Sequence, residues 1–215
     1  MTCCCSPFAD AAEQQFSREK ATKELADYRR RGAAPTTRLL SDGVAQAGQL
    51  EGMLLDVGSG IGALTFELLR RGLTRAVAVD ASSAYVVAAR EEAARLGCVE
   101  AIQFVHGDFM VVAKDLPAAP VVTLDRVVCC YPLYRPLLEE VLRHTGRCFA
   151  LSYPRDRWYV RLGMAAENAA RRLVGNSFRT FVHPADAMEQ LIRGSGFSLA
   201  SRRHTWVWSV DVYVK

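Results

Sequence analysis

The chain has no apolar run near the ~18–20 residues that cross a bilayer, although 50% of its 215 residues are apolar. It has no internal repeat, no low-complexity linker and no Cys-x2-Cys spacing. A helical membrane protein, a repeat array and a zinc ribbon are thereby excluded. The start, MTCCCSPFADAAEQQF, lacks a basic segment followed by a long apolar stretch. No secretory signal is expected, and the protein is expected in the cytoplasm. The seven cysteines form no regular framework, which argues for free thiols in a reducing compartment. Cys98 and Cys148 lie in or beside apolar segments and are expected in the core. Cys3-Cys4-Cys5 read as an oxidation-prone tail, because three adjacent thiols do not close on one ion in a favourable geometry, and no metal site is expected.

Charge is present in ordinary amount, 23% of residues, but it is uneven. Residues 1–125 carry 13 Lys/Arg against 16 Asp/Glu, and residues 126–215 carry 14 against 7. The second half uses arginine almost exclusively, which suits bidentate binding of carboxylate or phosphate as well as a solvated basic surface. The length fits one domain with a sizeable core.

Periodicity gives the order of elements. Residues 10–31 and 36–50 read as helices, with Gly32 and Pro35 between them. Short strands at 53–57, 75–80, 102–108, 121–125 and 148–153 alternate with helices at 61–72, 82–97 and 136–145. Helices at 157–175 and 187–196 follow, and the chain closes on two alternating strands. The expected fold is α/β, Rossmann-like and doubly wound. Its mostly parallel seven-stranded sheet carries a C-terminal antiparallel hairpin and an N-terminal helical cap. The expected division is tail and cap over 1–46 and the main domain over 47–215.

The stretch LLDVGSGIGALTFELL (54–69) puts Gly58, Gly60 and Gly62 at every second position between the first strand and the first sheet helix. A turn of this kind brings bare backbone N–H groups to a ligand at the carboxyl edge of the sheet. Gly58 to Ala63 fits G-x-G-x-x-A, the loop of a nicotinamide dinucleotide site. Asp56-x-Gly58-x-Gly60-x-Gly62 instead resembles the first motif of class I S-adenosylmethionine-dependent methyltransferases. A carboxylate repels a pyrophosphate but favours the ammonium of a methionine moiety, so Asp56 tilts the choice to the second. Asp80 ends strand two, His106-Gly107-Asp108-Phe109 ends strand three and Asp125-Arg126-Val127 ends strand four, so the resemblance runs in order over residues ~51–153.

The resemblance implies S-adenosylmethionine as cofactor and methyl transfer to a small molecule. Asp56, Gly58, Ser59, Gly60 and Gly62 would shape the methionine site. Asp80 with Ala81 would hold the ribose, and Gly107, Asp108 and Phe109 the adenine. Asp125 would face both cofactor and substrate. The competing reading of each strand-end acid is a helix cap or turn residue, and Asp108 after glycine is the plainest case. Asp125, Tyr131 and His183 are the candidate catalytic residues, with Tyr153 pointing to the same region. Cys129 and Cys130 either pack the next helix or present thiols to the pocket, as pocket cysteines do in metalloid methyltransferases. SYPRDRWYVRLG (152–163) offers Arg155, Arg157, Arg161, Trp158 and Tyr159 as a cover for an anionic, partly planar acceptor, with Tyr28 to Arg31 joining it. The layout resembles, in general arrangement, that of tetrapyrrole carboxyl O-methyltransferases. O-methylation is favoured over N- or S-methylation. The alternatives are an NAD(P)-dependent oxidoreductase and a non-catalytic methyltransferase-like binding protein. Nucleic acid is not expected as substrate, because Asp125-Arg126-Val127-Val128 replaces the Asn-Pro-Pro-aromatic pattern. The oligomeric state is not legible.

Overall fold

The computed structural model describes residues 7–215, so Cys3-Cys4-Cys5 lies outside the described residues. Three helices open the chain: α1 (Pro7–Gln15), α2 (Arg18–Arg31) and α3 (Pro35–Gln46). The single helix expected over 10–31 is two. Ser17 stands in extended backbone, and its hydroxyl accepts the amide of Lys20 as an N-cap. A serine that satisfies the first amides of a new helix competes with continuation of the old one. α2 ends in Arg29, Arg30 and Arg31 before Gly32, cations at the negative end of the helix. Proline opens α3, where its missing N–H costs nothing.

The alternation then follows as β1 (Met53–Val57), α4 (Ala63–Arg71), β2 (Arg75–Asp80), α5 (Ser83–Arg95), β3 (Ile102–His106) and α6 (Phe109–Val112). After it come β4 (Ala119–Asp125), α7 (Tyr134–His144), β5 (Thr145–Pro154), α8 (Trp158–Leu173), α9 (Ala185–Gly194), β6 (Ser198–His204) and β7 (Trp208–Val214). The sheet order is β3-β2-β1-β4-β5-β7-β6. β1 to β5 are parallel, and β7 runs antiparallel between β5 and β6. The expected Rossmann-like sheet with its closing hairpin is present.

Both faces are buried, which is why the strands read as continuous apolar runs. Leu55, Val57, Val77, Val79, Val122 and Leu124 pack with Leu137, Leu138 and Val141 of α7 and with Met188 and Ile192 of α9. Leu54, Ala76, Ala78, Val121 and Ala150 pack with Leu40 and Val44 of α3 and with Leu64, Phe66 and Leu68 of α4. α3, placed with the cap by the sequence, therefore lies flat on the sheet. The cap proper is α1 and α2, with Ala21 and Leu25 packed on Tyr85 and Ala88 of α5. A buried carboxylate adds direction to that packing: Glu92 of α5 binds Arg29 of α2 (Nη2 at 2.7 Å) and Arg95 (Nη2 at 2.6 Å). The order in which strands are added reverses between β1 and β4, and the carboxyl ends of β1 to β4 meet under the cap there.

Candidate functional site

The loop after β1 is built so that no side chain intrudes. Gly58 has φ +68°, and a Cβ there would lie 2.3 Å from Val127 Cγ2. Gly62, the N-cap of α4, has φ +83°, and its Cβ would lie 2.6 Å from Phe66 Cζ. Only glycine meets both demands. The amides of Gly58 and Ser59 donate to the Val79 carbonyl at 2.8 and 3.0 Å, tying the loop to β2. The Gly60 amide donates to Asp80 Oδ2 and the Ser82 amide to Asp80 Oδ1, both at 2.8 Å. Each carboxylate oxygen keeps a further lone pair. Burial raises the Asp80 pKa to about 6, the two amides pulling the other way.

Above this edge lies a cavity of about 320 Å³. Of the candidate site residues, Gly58, Gly60, Asp80, Ala81, Gly107, Phe109, Asp125 and Tyr131 line it. Asp56, Ser59, Gly62, Asp108 and His183 do not. Asp56 is a buried strut under the loop: its oxygens accept from Thr65 Oγ1 and Thr123 Oγ1, each at 2.7 Å, and burial raises its pKa to about 6. Asp108 is the N-cap of α6. Its Oδ1 accepts from the Met110 amide at 3.0 Å and from the Tyr131 hydroxyl at 2.7 Å. His183 Nε2 lies 3.1 and 2.9 Å from the carbonyls of Val128 and Tyr131. Facing two acceptors, that nitrogen carries the proton, and burial lowers the pKa of the ring. His183 thus clamps the segment after β4.

The other candidates are also engaged. Asp125 accepts from Thr37 Oγ1 at 2.5 Å and from Ser152 Oγ at 2.6 Å. The next residue, Arg126, has φ +62° and donates its amide to Ser152 Oγ at 2.8 Å, which holds the turn at the cavity edge. Burial keeps the Tyr131 hydroxyl well above its usual range, and Phe8 stacks on its ring at 4.2 Å. Tyr153 turns away to Asp211, at 2.9 Å. The arginines before and in early α8 do not reach the cavity: Arg161 binds Asp156, and Arg155 donates to the Thr205 carbonyl at 3.2 Å.

The cover over the cavity comes from residues that sequence reasoning missed. Phe8, Ala12 and Phe16 form one wall with Lys20 and Glu24 of α2. Met164, Glu167 and Arg171 of α8, with Phe178, form the facing wall. Their helical spacing marks one face of each helix, but nothing local says that this face meets a ligand. Lys20 Nζ sits 4.6 Å over the Phe16 ring, and the Arg171 guanidinium 5.5 Å over Phe178. Cys129 and Cys130 also line the space, their Sγ atoms 4.0 Å apart. A second hollow of about 360 Å³ adjoins it at Glu24 and Arg126 and is lined by Arg31 and Arg38. Among the described residues no group of three His, Cys, Asp or Glu is placed to hold a metal ion, and no helix is long and apolar enough to cross a membrane.

Residues 54–150 match a protein family described as a methyltransferase domain. A comparison with curated proteins finds no match. Among solved structures, the chain is similar to magnesium protoporphyrin IX methyltransferase from Synechocystis PCC 6803 with bound SAM, with 16% identity, TM-score 0.71 and 100% of both chains covered. An O-methyltransferase family protein from Burkholderia thailandensis aligns with 15% identity and TM-score 0.72, over 96% of this chain and 61% of that one. An O-methyltransferase family 2 protein from Planctomyces limnophilus, in complex with apigenin, aligns with 16% identity and TM-score 0.68, over 100% and 63%. The strand order also departs from the 3-2-1-4-5-6 order of dinucleotide-binding domains, because β7 enters antiparallel between β5 and β6.

Proposed function

We propose that this chain, a class I S-adenosylmethionine-dependent methyltransferase by its domain match and fold, methylates a carboxylate oxygen of a small aromatic acid held between α2 and α8. The residues present fit the cofactor. Bare backbone at Gly58 and Gly60 admits a close-lying chain, the spare lone pairs of Asp80 suit two ribose hydroxyls, and Phe109 offers a buried ring face to adenine. Arg31, Arg38 and Arg126 around the adjoining hollow suit the methionine carboxylate. When bound, the cofactor supplies a methyl group already activated on sulfonium sulfur.

The chain's own task is to align the acceptor and exclude water, which is worth up to ~7–11 kcal/mol. The observation that carries the carboxylate reading is that each of the three catalytic candidates is already engaged in hydrogen bonds of the fold. Asp125 accepts two hydroxyls, Tyr131 donates to Asp108, and His183, outside the cavity lining, points its N–H at two backbone carbonyls. A carboxylate acceptor needs no base. Lys20 and Arg171 would hold it by charge while Phe8, Phe16 and Phe178 enclose its apolar part. The neighbours named for magnesium protoporphyrin IX and bound to apigenin handle planar aromatic molecules, which supports the same shape here. A phenol acceptor is the second reading, favoured by Lys20: burial lowers its pKa and makes it a fitter proton acceptor.

The test is transfer of labelled methyl to matched pairs of aromatic acids and their amides. The proposal expects product from the acids only, released as methanol by mild alkali, and a raised KM with little change in kcat for Lys20→Met. Alkali-stable product on neutral phenols or amines would overturn it.

A further inference from the structure

α8 has its polarity reversed. Its inward face, Val160, Met164, Glu167, Asn168 and Arg171, follows one helical stripe. Val160 is buried; Met164, Glu167 and Arg171 line the cavity; and Asn168 Nδ2 donates to the Thr180 carbonyl at 2.7 Å. The outward stripe, at spacings of four, seven or eight, eleven and fifteen, is Trp158, Leu162, Ala165 with Ala166, Ala169 and Leu173. Trp158 is 76% exposed, Leu162 63% and Leu173 88%. Trp206, 85% exposed in the β6–β7 turn, stands beside the first turn of the helix, its carbonyl accepting from Tyr159 Oη at 2.9 Å. Two tryptophans and two leucines thus form an apolar strip on one side of the molecule, where isolated exposed apolar residues would need no explanation.

Arginine borders the strip. Arg161 and Arg172, eleven residues apart, lie along one edge of the helix, and Arg157 precedes its first turn. Arg161 binds Asp156, and Arg157 lies close enough to help lower the pKa of the same carboxyl; among the described residues Arg172 makes no ion pair. A stripe of Trp and Leu bordered by three arginines that share a single carboxylate, and so carry excess positive charge, is the chemistry of a helix lying in the headgroup region of an anionic bilayer. A second copy is a poorer occupant. A two-fold contact of this face would bring arginine edges together, and one helix of about 24 Å presents a narrow strip for a stable dimer.

We propose that the outer face of α8, with Trp206, docks the protein peripherally on the surface of an anionic lipid membrane. The proposal stands apart from the choice of acceptor. It is tested by sedimenting the full chain with phosphatidylcholine vesicles that contain or lack phosphatidylglycerol, while following tryptophan fluorescence. The expected result is binding and a blue shift with the anionic vesicles alone, reversed by salt. Trp158→Ser with Leu162→Ser should weaken binding by at least about tenfold. Arg157→Gln with Arg172→Gln should weaken it by about fivefold per arginine. Retained S-adenosylhomocysteine binding in both variants checks the fold. Absence of binding to anionic vesicles overturns the proposal, as does binding that both variants keep. A wild-type dimer that the Trp158 variant dissolves, without vesicle binding, overturns it in favour of a protein interface.

Discussion

At the scale of the residue, the positions of the glycine loop and Asp80 at the cavity were legible because they are set by neighbours in sequence: a tight turn after a strand, and an acid at the next strand's end. Asp56 and His183 lie outside the cavity because of distant partners, whereas Asp108 is held by the Met110 amide two residues on, the local cap that a Gly-Asp turn offers. Thr123 lies 67 residues from Asp56, and Val128 lies 55 from His183. Asp56 makes a prediction with an unusual sign. Its native pKa of about 6 lies above the usual 3.8, so the folded chain binds its proton more readily than the unfolded chain does. Its contribution to stability is therefore greatest at low pH and is lost as pH rises from about 4 to about 6. Asp56→Asn can bond both threonines without charge, donating to one hydroxyl and accepting from the other. It should stabilise the protein more at pH 8 than at pH 4.5, by about 1–3 kcal/mol; thermal melts at the two pH values check this, and an equal effect at both would count against it. Gly58→Ala should lower the melting temperature by about 4–8 °C, the effect of roughly 2 kcal/mol in a chain of this size. An unchanged melt would mean that Val127 gives way.

At the scale of the element, strands and sheet helices followed from periodicity, and what was missed was set by competition between local signals or by pairing across space. Ser17 ended α1 because a hydroxyl cap inside a polar run outweighed continued helical pattern. β5 starts at Thr145, earlier than expected, because Thr145 pairs with Ala119 of β4. The cap itself is a jointed element. α2 brings Lys20 and Glu24 to the cavity and is fixed to α5 by the Arg29–Glu92 contact. Glu92→Ala frees two half-exposed arginines to water, so its cost is modest, about 1–2 kcal/mol. The larger effect should be on the site: a loosened α2 should weaken S-adenosylhomocysteine binding several-fold in a calorimetric titration. Unchanged affinity would mean that the Ala21 and Leu25 packing alone fixes α2.

At the scale of the molecule, the fold class was readable because strand–helix alternation leaves few topologies. The enclosure of the site was not. The cavity is closed by α1, α2 and α8, elements distant in sequence, and of the arginines expected to cover the acceptor Arg157 and Arg161 lie at the edge of α8 while Arg155 binds the β6–β7 turn. Arg171, half a helix further on, took the inward place. In the proposed function, the sheet edge with its glycine loop and Asp80 holds the methyl donor under this cover. The most direct test is calorimetric titration of wild type and Asp80→Ala with S-adenosylhomocysteine at pH 5 and pH 7.5, with NADH and NADPH as controls. Asp80 ionises at about 6, and its ionised form is the stronger acceptor for ribose hydroxyls. The expected result is one site for S-adenosylhomocysteine, none for either nicotinamide, tighter binding at the higher pH, and a loss of more than about tenfold in Asp80→Ala. Binding of NADH in place of S-adenosylhomocysteine, or an Asp80→Ala protein with wild-type affinity at both pH values, would contradict it.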